Sequence, residues 1–102
     1  MHIISYKALK VFYTTHPDAR RPLDVWYETT DMANWNSIMD VRNSSPHADA
    51  VVVASGRTVT VFNIGGNKYR LIAGIHYNRG KVHVLRIMTH KEYSLNRWKE
   101  TL

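Results

Sequence analysis

At 102 residues with 44% hydrophobic residues, the chain is long enough for one domain with its own core and too apolar for a disordered protein. It contains no cysteine, which excludes a disulfide framework and thiolate metal sites, and no apolar run long enough to cross a membrane. Fourteen Lys and Arg against eight Asp and Glu give a net charge of +6, which favours a polyanionic partner such as nucleic acid. We therefore expect a single cytoplasmic domain over residues 1–102.

The first half of the chain carries helical patterns. Ser5 is placed to cap a helix through Thr15, and Asp18 is placed to cap a second helix. In the second helix, four residues follow the spacing of one buried face: Leu23, Trp26, Tyr27 and Thr30. Ser37 and Asp40 have the spacing of a capping box, which predicts a short third helix before the loop sequence NSSPHA.

The second half is rich in β-strand patterns. Four strands are predicted, over residues 51–53, 58–64, 68–77 and 81–88. Gly-Gly-Asn and Asn-Arg-Gly separate the last three strands, which indicates an antiparallel meander. Thr89 and Glu92 have capping-box spacing and predict a short C-terminal helix that starts near His90. The pattern predicts an α+β fold, in which two N-terminal helices and a short helix pack on one face of a mainly antiparallel four-stranded sheet.

The turns of the meander fix which side chains share a sheet face. A three-residue turn of Asn78, Arg79 and Gly80 places Tyr77 opposite Lys81, so that one face is apolar and the other is polar. A turn at Gly65-Gly66 extends the same pairing to the neighbouring strand and places Asn63 opposite Lys68. The polar face then gathers five residues at one end: Asn63, Lys68, Arg70, Arg86 and His90. We expect this face to be uncovered.

The polar cluster suits cleavage of an RNA phosphodiester without a metal or cofactor. The ribose 2′-OH supplies the nucleophile, and the protein must transfer two protons and offset the charge that builds on the phosphorane. Arg70 and Lys68 are the predicted charge stabilisers. His90 is the predicted acid or base, because histidine exchanges its proton near neutral pH. Tyr93 lies one helical turn beyond His90 and could orient the nucleophile or share the proton transfer.

A zinc site and two functions without catalysis are the other interpretations of these residues. Histidines recur every seven residues at positions 76, 83 and 90, but the predicted pairing puts His83 on the opposite face from His76 and His90, so a zinc site is not expected. A basic module that binds RNA, the ribosome or DNA without cutting it remains the alternative function. An interaction subunit that works through its apolar helices is a third possibility.

Three segments resemble a known family: HPDARRPLDVWY, VFNIGGNKYRLIAGIHY and RIMTHKEY. Together they are similar to HigB-type toxins of the RelE-like superfamily of bacterial toxin–antitoxin pairs, over nearly the whole chain. The resemblance implies the toxin of a type II system, an mRNA interferase that inhibits translation by cutting mRNA on the ribosome. It also implies a HigA-type helix-turn-helix antitoxin, with operator DNA bound only through the toxin–antitoxin complex, and no membrane partner.

The resemblance also implies which residues of this chain form the functional site. The family's functional positions fall on four residues as catalytic candidates: Lys68, Arg70, His90 and Tyr93. The resemblance adds Asn63 and Asn67 as supporting candidates. Together with Arg86, which the strand register places on the polar face, they are the RNA-binding candidates, and no metal ligand is expected. Because Tyr69 and Tyr77 are predicted to face the core, the polar face lacks an aromatic platform for stacking bases. We therefore expect poor cleavage of free RNA and clear cleavage of mRNA engaged on a ribosome.

Overall fold

The computed structural model describes all 102 residues as five β-strands and five α-helices. In chain order the elements are β1 (His2–Ile4), α1 (Tyr6–Thr15), α2 (Arg20–Met32), α3 (Ile38–Ser44), β2 (Asp49–Val52), β3 (Thr58–Ile64), β4 (Tyr69–His76), β5 (Lys81–Thr89), α4 (His90–Ser94) and α5 (Trp98–Thr101). Short 3₁₀ turns at Pro17–Ala19 and Tyr77–Arg79 complete the chain. None of the helices combines the length and the apolar character that a membrane crossing needs.

The strands form one mixed sheet in the order β1-β5-β4-β3-β2. Strands β2 to β5 are an antiparallel meander, as predicted, and the α+β class is confirmed. The predicted count of four strands is wrong, because β1 pairs in parallel with Lys81–His83 at the edge of the sheet. Three residues are too few to show a period-two pattern, so this strand leaves no signal in the sequence.

The main hydrophobic core lies between the sheet and helices α1 to α3. Leu9 and Leu23 are fully buried there against Phe62 and Leu71. The predicted buried face of α2 is confirmed for three of its four residues, Leu23, Trp26 and Thr30, while Tyr27 is half-buried at the margin of the core. The apolar stripe that sequence periodicity indicates is therefore the face that holds the helices on the sheet.

The predicted helix caps are only partly realised. Ser5 precedes α1, but its backbone is left-handed with φ 82° and its side chain makes no capping bond. Ser37 precedes α3 and likewise makes no side-chain capping bond. Asp18 is not a cap at all, because it lies inside the 3₁₀ turn and its carboxylate accepts hydrogen bonds from Tyr69 and Lys68. A long-range partner has replaced the local one that the spacing suggested.

The predicted pairing of β4 with β5 is correct where the polar cluster lies and wrong near the turn. Arg70 pairs with Met88 as predicted, but the loop has four residues, 77–80, closed by Gly80 at φ 62°. A bulge offsets the extra loop residue: Ile72 pairs with Arg86 and Ala73 with Val84, so Leu85 on β5 is left unpaired. The bulge also turns His83 to the face of His76, with ring centroids 5.2 Å apart. Their predicted placement on opposite faces is therefore wrong.

The pairing of β3 with β4 differs from the prediction by two residues. Asn63 pairs with Arg70 rather than with Lys68, because the turn comprises four residues, Gly65 to Lys68, instead of two. A shift of two preserves the side-chain faces, since the strand period is two. Asn63 therefore still lies on the polar face, now directly beside Arg70.

The second face of the sheet is not uncovered, contrary to the prediction. Trp98 on α5 is only 5% exposed and packs on Ile72 and Met88 in a second small core. The carbonyl of Lys99 accepts a hydrogen bond from the amide of Ala54 at 2.9 Å, which ties the tail to the loop after β2. The C-terminal tail therefore covers the centre of this face and leaves the end near Arg70 as the remaining polar region.

The capping box that starts α4 is confirmed. Thr89 Oγ1 accepts a hydrogen bond from the amide of Glu92 at 3.2 Å, and the Glu92 carboxylate accepts one from the amide of Thr89 at 3.2 Å. Thr89→Ala should lower the free energy of unfolding by about 1 kcal/mol, measured by urea denaturation. Ser37→Ala is the matched control, because Ser37 makes no capping bond. Equal losses in the two variants would contradict a stabilising role for this cap.

Candidate functional site

Arg70 is a buried cation without an acidic partner. Its side chain extends from β4 next to Asn63, and the residue is only 7% exposed. Its Nη1 donates to the carbonyls of Asn67 at 3.3 Å and Tyr69 at 3.1 Å, and its Nη2 donates to Asn67 Oδ1. All these acceptors are neutral, and Arg70 forms no salt bridge. A desolvated charge held in this way is suited to an anionic ligand, which would supply the missing countercharge.

The ring of Tyr93 lies against this guanidinium. Arg70 Cζ is 5.2 Å from the centroid of the ring, a cation–π distance. The ring of Trp98 also stacks on Tyr93, with 5.4 Å between the ring centroids and an interplanar angle of 18°. The indole Nε1 of Trp98 also donates to the Tyr93 carbonyl at 3.1 Å. Tyr93 is therefore positioned by the C-terminal tail.

His90 begins α4 beside the turn that leads into β4. Its amide donates to the Lys68 carbonyl at 2.9 Å, which holds the first turn of α4 against the β3–β4 turn. The His90 side chain is exposed and makes no hydrogen bond within the protein, so its imidazole is available to a ligand. His90 and Tyr93 are three residues apart on one helix, a spacing that puts them on adjacent positions of its surface.

Lys68 does not lie on the same face of the sheet as Arg70, where the sequence predicted it. Its Nζ is 3.3 Å from Asp18 Oδ2, and Asp18 Oδ1 accepts a hydrogen bond from the Tyr69 hydroxyl on the helix-covered face of the sheet. The prediction that Lys68 and Arg70 share a face is wrong, because Lys68 belongs to the turn before β4 and strand alternation does not apply to it. Its side chain is nevertheless 67% exposed at the rim of the site.

Arg86 lies on the same face as Arg70, farther along the sheet. Arg86 pairs with Ile72 and its side chain is exposed. Its Nη1 donates a hydrogen bond to the Leu85 carbonyl at 3.0 Å, and its Nη2 donates one to Thr101 Oγ1 at 3.5 Å. A groove of about 310 Å³ runs from Arg86 past Met88 to the tail, lined by Arg86, Ile87, Met88, Glu92, Leu95, Arg97 and Trp98. Arg97 is a second cation at this groove, and no sequence motif indicates it.

The Asp18–Tyr69–Lys68 contact predicts a specific pH dependence of stability. The hydrogen bond from Tyr69, assisted by Lys68, lowers the pKa of Asp18 below its ordinary 3.8, and the same bond raises the pKa of Tyr69 above 10.0. The Asp18 contribution is present above pH 3.8 and is lost as pH falls through the lowered folded-state value. The Tyr69 contribution is present below pH 10.0 and is lost as pH rises through the raised folded-state value.

We therefore expect Asp18→Asn to destabilise the protein most between these limits. Urea unfolding from pH 2.5 to pH 9 should show the difference from the unsubstituted protein shrinking toward the acidic end. Glu28→Gln is the control, because Glu28 is exposed and forms no salt bridge. A difference for Asp18→Asn that is constant with pH would show that the contact does not stabilise the fold.

A family model for HigB toxin, described as the RelE-like toxic component of a toxin–antitoxin system, matches residues 19–96. The chain belongs to the HigB toxin family. The matched HigB segment includes the whole of β4 and β5 with Arg70, His90 and Tyr93, and it ends before Trp98.

Three curated relatives agree with this assignment. The mRNA interferase toxin HigB of Escherichia coli K12 is 29% identical over 93 residues, which cover 91% of this HigB-family chain and 88% of the relative. The proteins named mRNA interferase HigB from Escherichia coli O157:H7 and Shigella flexneri match with the same identity and coverage. The resemblance inferred from the sequence motifs is thereby confirmed.

Proposed function

We propose that this HigB-family chain is a ribosome-dependent mRNA endoribonuclease, the toxin of a type II toxin–antitoxin pair. Family membership and the three relatives named mRNA interferase support the activity. The observation that carries the proposal is the buried guanidinium of Arg70, which has neutral acceptors only and lies 5.2 Å from the Tyr93 ring. A phosphodiester placed there would meet a fixed positive charge in a partly dehydrated site, where electrostatic stabilisation is strongest.

The proposed reaction uses the RNA's own nucleophile. The ribose 2′-oxygen attacks phosphorus, the P–O5′ bond breaks, and the products are a 2′,3′-cyclic phosphate and a 5′-hydroxyl. One proton leaves the 2′-OH and one is delivered to the 5′-oxygen. Arg70 offsets the charge on the phosphorane oxygens, and His90 is the candidate for one of the two proton transfers. Tyr93, against the guanidinium, would orient the 2′-OH or share the transfer.

The remaining candidates would bind RNA around this centre. Lys68, exposed at the rim, would contact a neighbouring phosphate once its bond with Asp18 opens. Asn67 would act through Arg70, because its Oδ1 holds the guanidinium in place. Asn63 and Arg86 flank Arg70 along the same face and would contact the strand on either side. The proposed reaction uses protein side chains and the RNA itself, without a metal or cofactor.

The proposed partners follow from membership in a toxin–antitoxin family. We propose a cytoplasmic protein whose substrate is mRNA on the ribosome and whose activity is restrained by a HigA-type antitoxin. Contact with operator DNA would occur only through the complex of toxin and antitoxin. The ribosome is proposed to present the RNA, since the site offers one exposed imidazole rather than a row of exposed aromatic rings.

The function is tested with purified protein and one labelled mRNA, either free or on translating ribosomes. We expect cleavage of the ribosome-engaged mRNA, with 2′,3′-cyclic phosphate ends, and little cleavage of the free mRNA. A 2′-deoxy substitution at the cut site should abolish cleavage there, because it removes the nucleophile. Binding to ribosomes without any strand scission would support the alternative, a non-catalytic basic module. Equal cleavage of free and engaged RNA would contradict ribosome dependence.

A further inference from the structure

A small hollow lies beside Arg70 on the side away from α4. Strand β3 flanks β4 opposite to β5, and the end of β3 forms one wall of the hollow. The turn between α3 and β2 forms the other wall. The hollow has a volume of about 270 Å³ and six lining residues: Ser45, Pro46, His47, Ala48, Asn63 and Gly66. None of the proposed catalytic residues lines it.

The strand register places this hollow next to the catalytic candidate Arg70. Asn63 lines the hollow and pairs with Arg70 on the neighbouring strand. On the other wall, His47 lies in the turn just before Asp49, which pairs with Val61 on β3. Adjacent strands are about 4.8 Å apart, so a ligand group that contacts Asn63 would lie about one to two strand spacings, roughly 5–10 Å, from the backbone that carries the guanidinium.

The hollow presents polar groups that the protein itself does not use. The side chains of His47 and Asn63 are exposed and make no hydrogen bond within the protein. At Gly66, with φ 69°, the position of a Cβ atom has no neighbour within 4 Å, so the approach to the backbone is open. The turn is nevertheless fixed, because Arg42 donates to the Ala48 carbonyl at 3.0 Å and to Asp49 at 3.2 Å.

The chemistry of the lining favours a base over a phosphate. No Lys or Arg lines the hollow, so it offers no countercharge to an anion. The imidazole of His47 provides a flat face for stacking, and the Asn63 amide places a donor beside an acceptor. Unstacked RNA bases are recognised by this combination of an aromatic face and hydrogen bonds to the base edge.

We infer that this hollow receives one unstacked RNA base, from the nucleotide next to the phosphate at Arg70. His47 stacks on the base, and Asn63 bonds an edge that carries an adjacent donor and acceptor. The inference rests on the proposed function and adds to it a determinant of where the RNA is cut. Neither His47 nor Ser45 is indicated by the sequence, because both lie in a loop that comes next to the end of β3 only in the fold.

The first test maps the 5′ ends of cleaved mRNA in cells that express each variant. His47→Ala and Asn63→Ala should reduce the base preference at one position beside the cut by about tenfold. His76→Ala is the control, since this exposed histidine lies at the opposite end of β4 and should leave the preference unchanged. An unaltered preference in both His47→Ala and Asn63→Ala would overturn the inference.

The second test measures binding apart from cleavage. A dinucleotide with a 2′-deoxy group at the scissile position is titrated into isotope-labelled protein, and the side-chain resonances of His47 and Asn63 are followed by NMR. Both should shift on binding, and the His47→Ala variant should bind at least about tenfold more weakly. The dinucleotide is titrated until the resonances of Arg70 and Tyr93 stop shifting, and saturation there with no movement at His47 and Asn63 would overturn the inference and leave the proposed function intact. Shifts without any cleavage would support the base site and count against the nuclease.

Discussion

Arg70→Ala should reduce RNA cleavage by about 10²- to 10³-fold, because it removes the one buried charge that faces the proposed phosphate site. Growth inhibition on expression should be lost in parallel. Arg79→Ala is the matched control: it removes the same charge from an exposed turn at the opposite end of β4. Cleavage rates on ribosome-engaged mRNA give the measurement. Similar cleavage rates for the two variants would show that the position of the charge at residue 70 is not important for cleavage.

Two further variants separate loss of chemistry from loss of fold. Arg70→Met keeps much of the side-chain volume without the charge, and we expect a free energy of unfolding at least as large as that of the unsubstituted protein, because an uncompensated buried charge is removed. Arg70→Lys should not restore cleavage, since an ammonium lacks the planar fork that contacts Asn67 and a phosphate together. If the Arg70→Met protein is stable but inactive, the loss of cleavage comes from the missing charge and not from unfolding.

Trp98→Ala should be the most damaging substitution in the tail. The indole is buried against Ile72 and Met88, stacks on Tyr93 and donates to its carbonyl. Loss of a buried aromatic side chain costs about 3–5 kcal/mol of unfolding free energy. Because Tyr93 then loses the ring that stacks on it, cleavage should also fall under conditions in which the variant remains folded.

Leu95→Ala provides the comparison for Trp98→Ala. Leu95 lies in the same tail but is 55% exposed, so its truncation should change the unfolding free energy by no more than about 0.5 kcal/mol. Urea denaturation and cleavage assays on the same preparations test both expectations. If Trp98→Ala matched Leu95→Ala in stability and rate, the tail would be dispensable for the site.

Sequence periodicity was enough to predict the α+β class, most of the buried face of α2 and the parity that places Arg70 on the sheet face away from α1 to α3. It did not predict the second small core on that face. The pairing of Arg70 with Met88 was predicted correctly for an incomplete reason. The turn has one residue more than expected, and a bulge further along the hairpin offsets the extra residue. Neither the longer turn nor the bulge has a distinctive sequence signal here. The two features together determine which residue of β5 pairs with Arg70.

The remaining features depend on contacts between distant parts of the chain. Lys68 is drawn to Asp18, fifty residues earlier in the sequence, and that pairing follows from how the 3₁₀ turn meets the sheet. Trp98 is a single aromatic residue in a segment without periodicity, so nothing in the tail itself indicates burial. The hollow at His47 arises where a loop meets β3. Patterns among neighbouring residues in the sequence cannot indicate such long-range contacts.

The most direct test of the account is a structure of the protein with a ribosome-presented mRNA that carries a 2′-deoxy nucleotide at the cut site. The account predicts the scissile phosphate within about 3 Å of an Arg70 guanidinium nitrogen, with the His90 ring and the Tyr93 hydroxyl on the ribose side. A scissile phosphate bound elsewhere on the surface, with Arg70 still contacting only Asn67 and Tyr69, would contradict it.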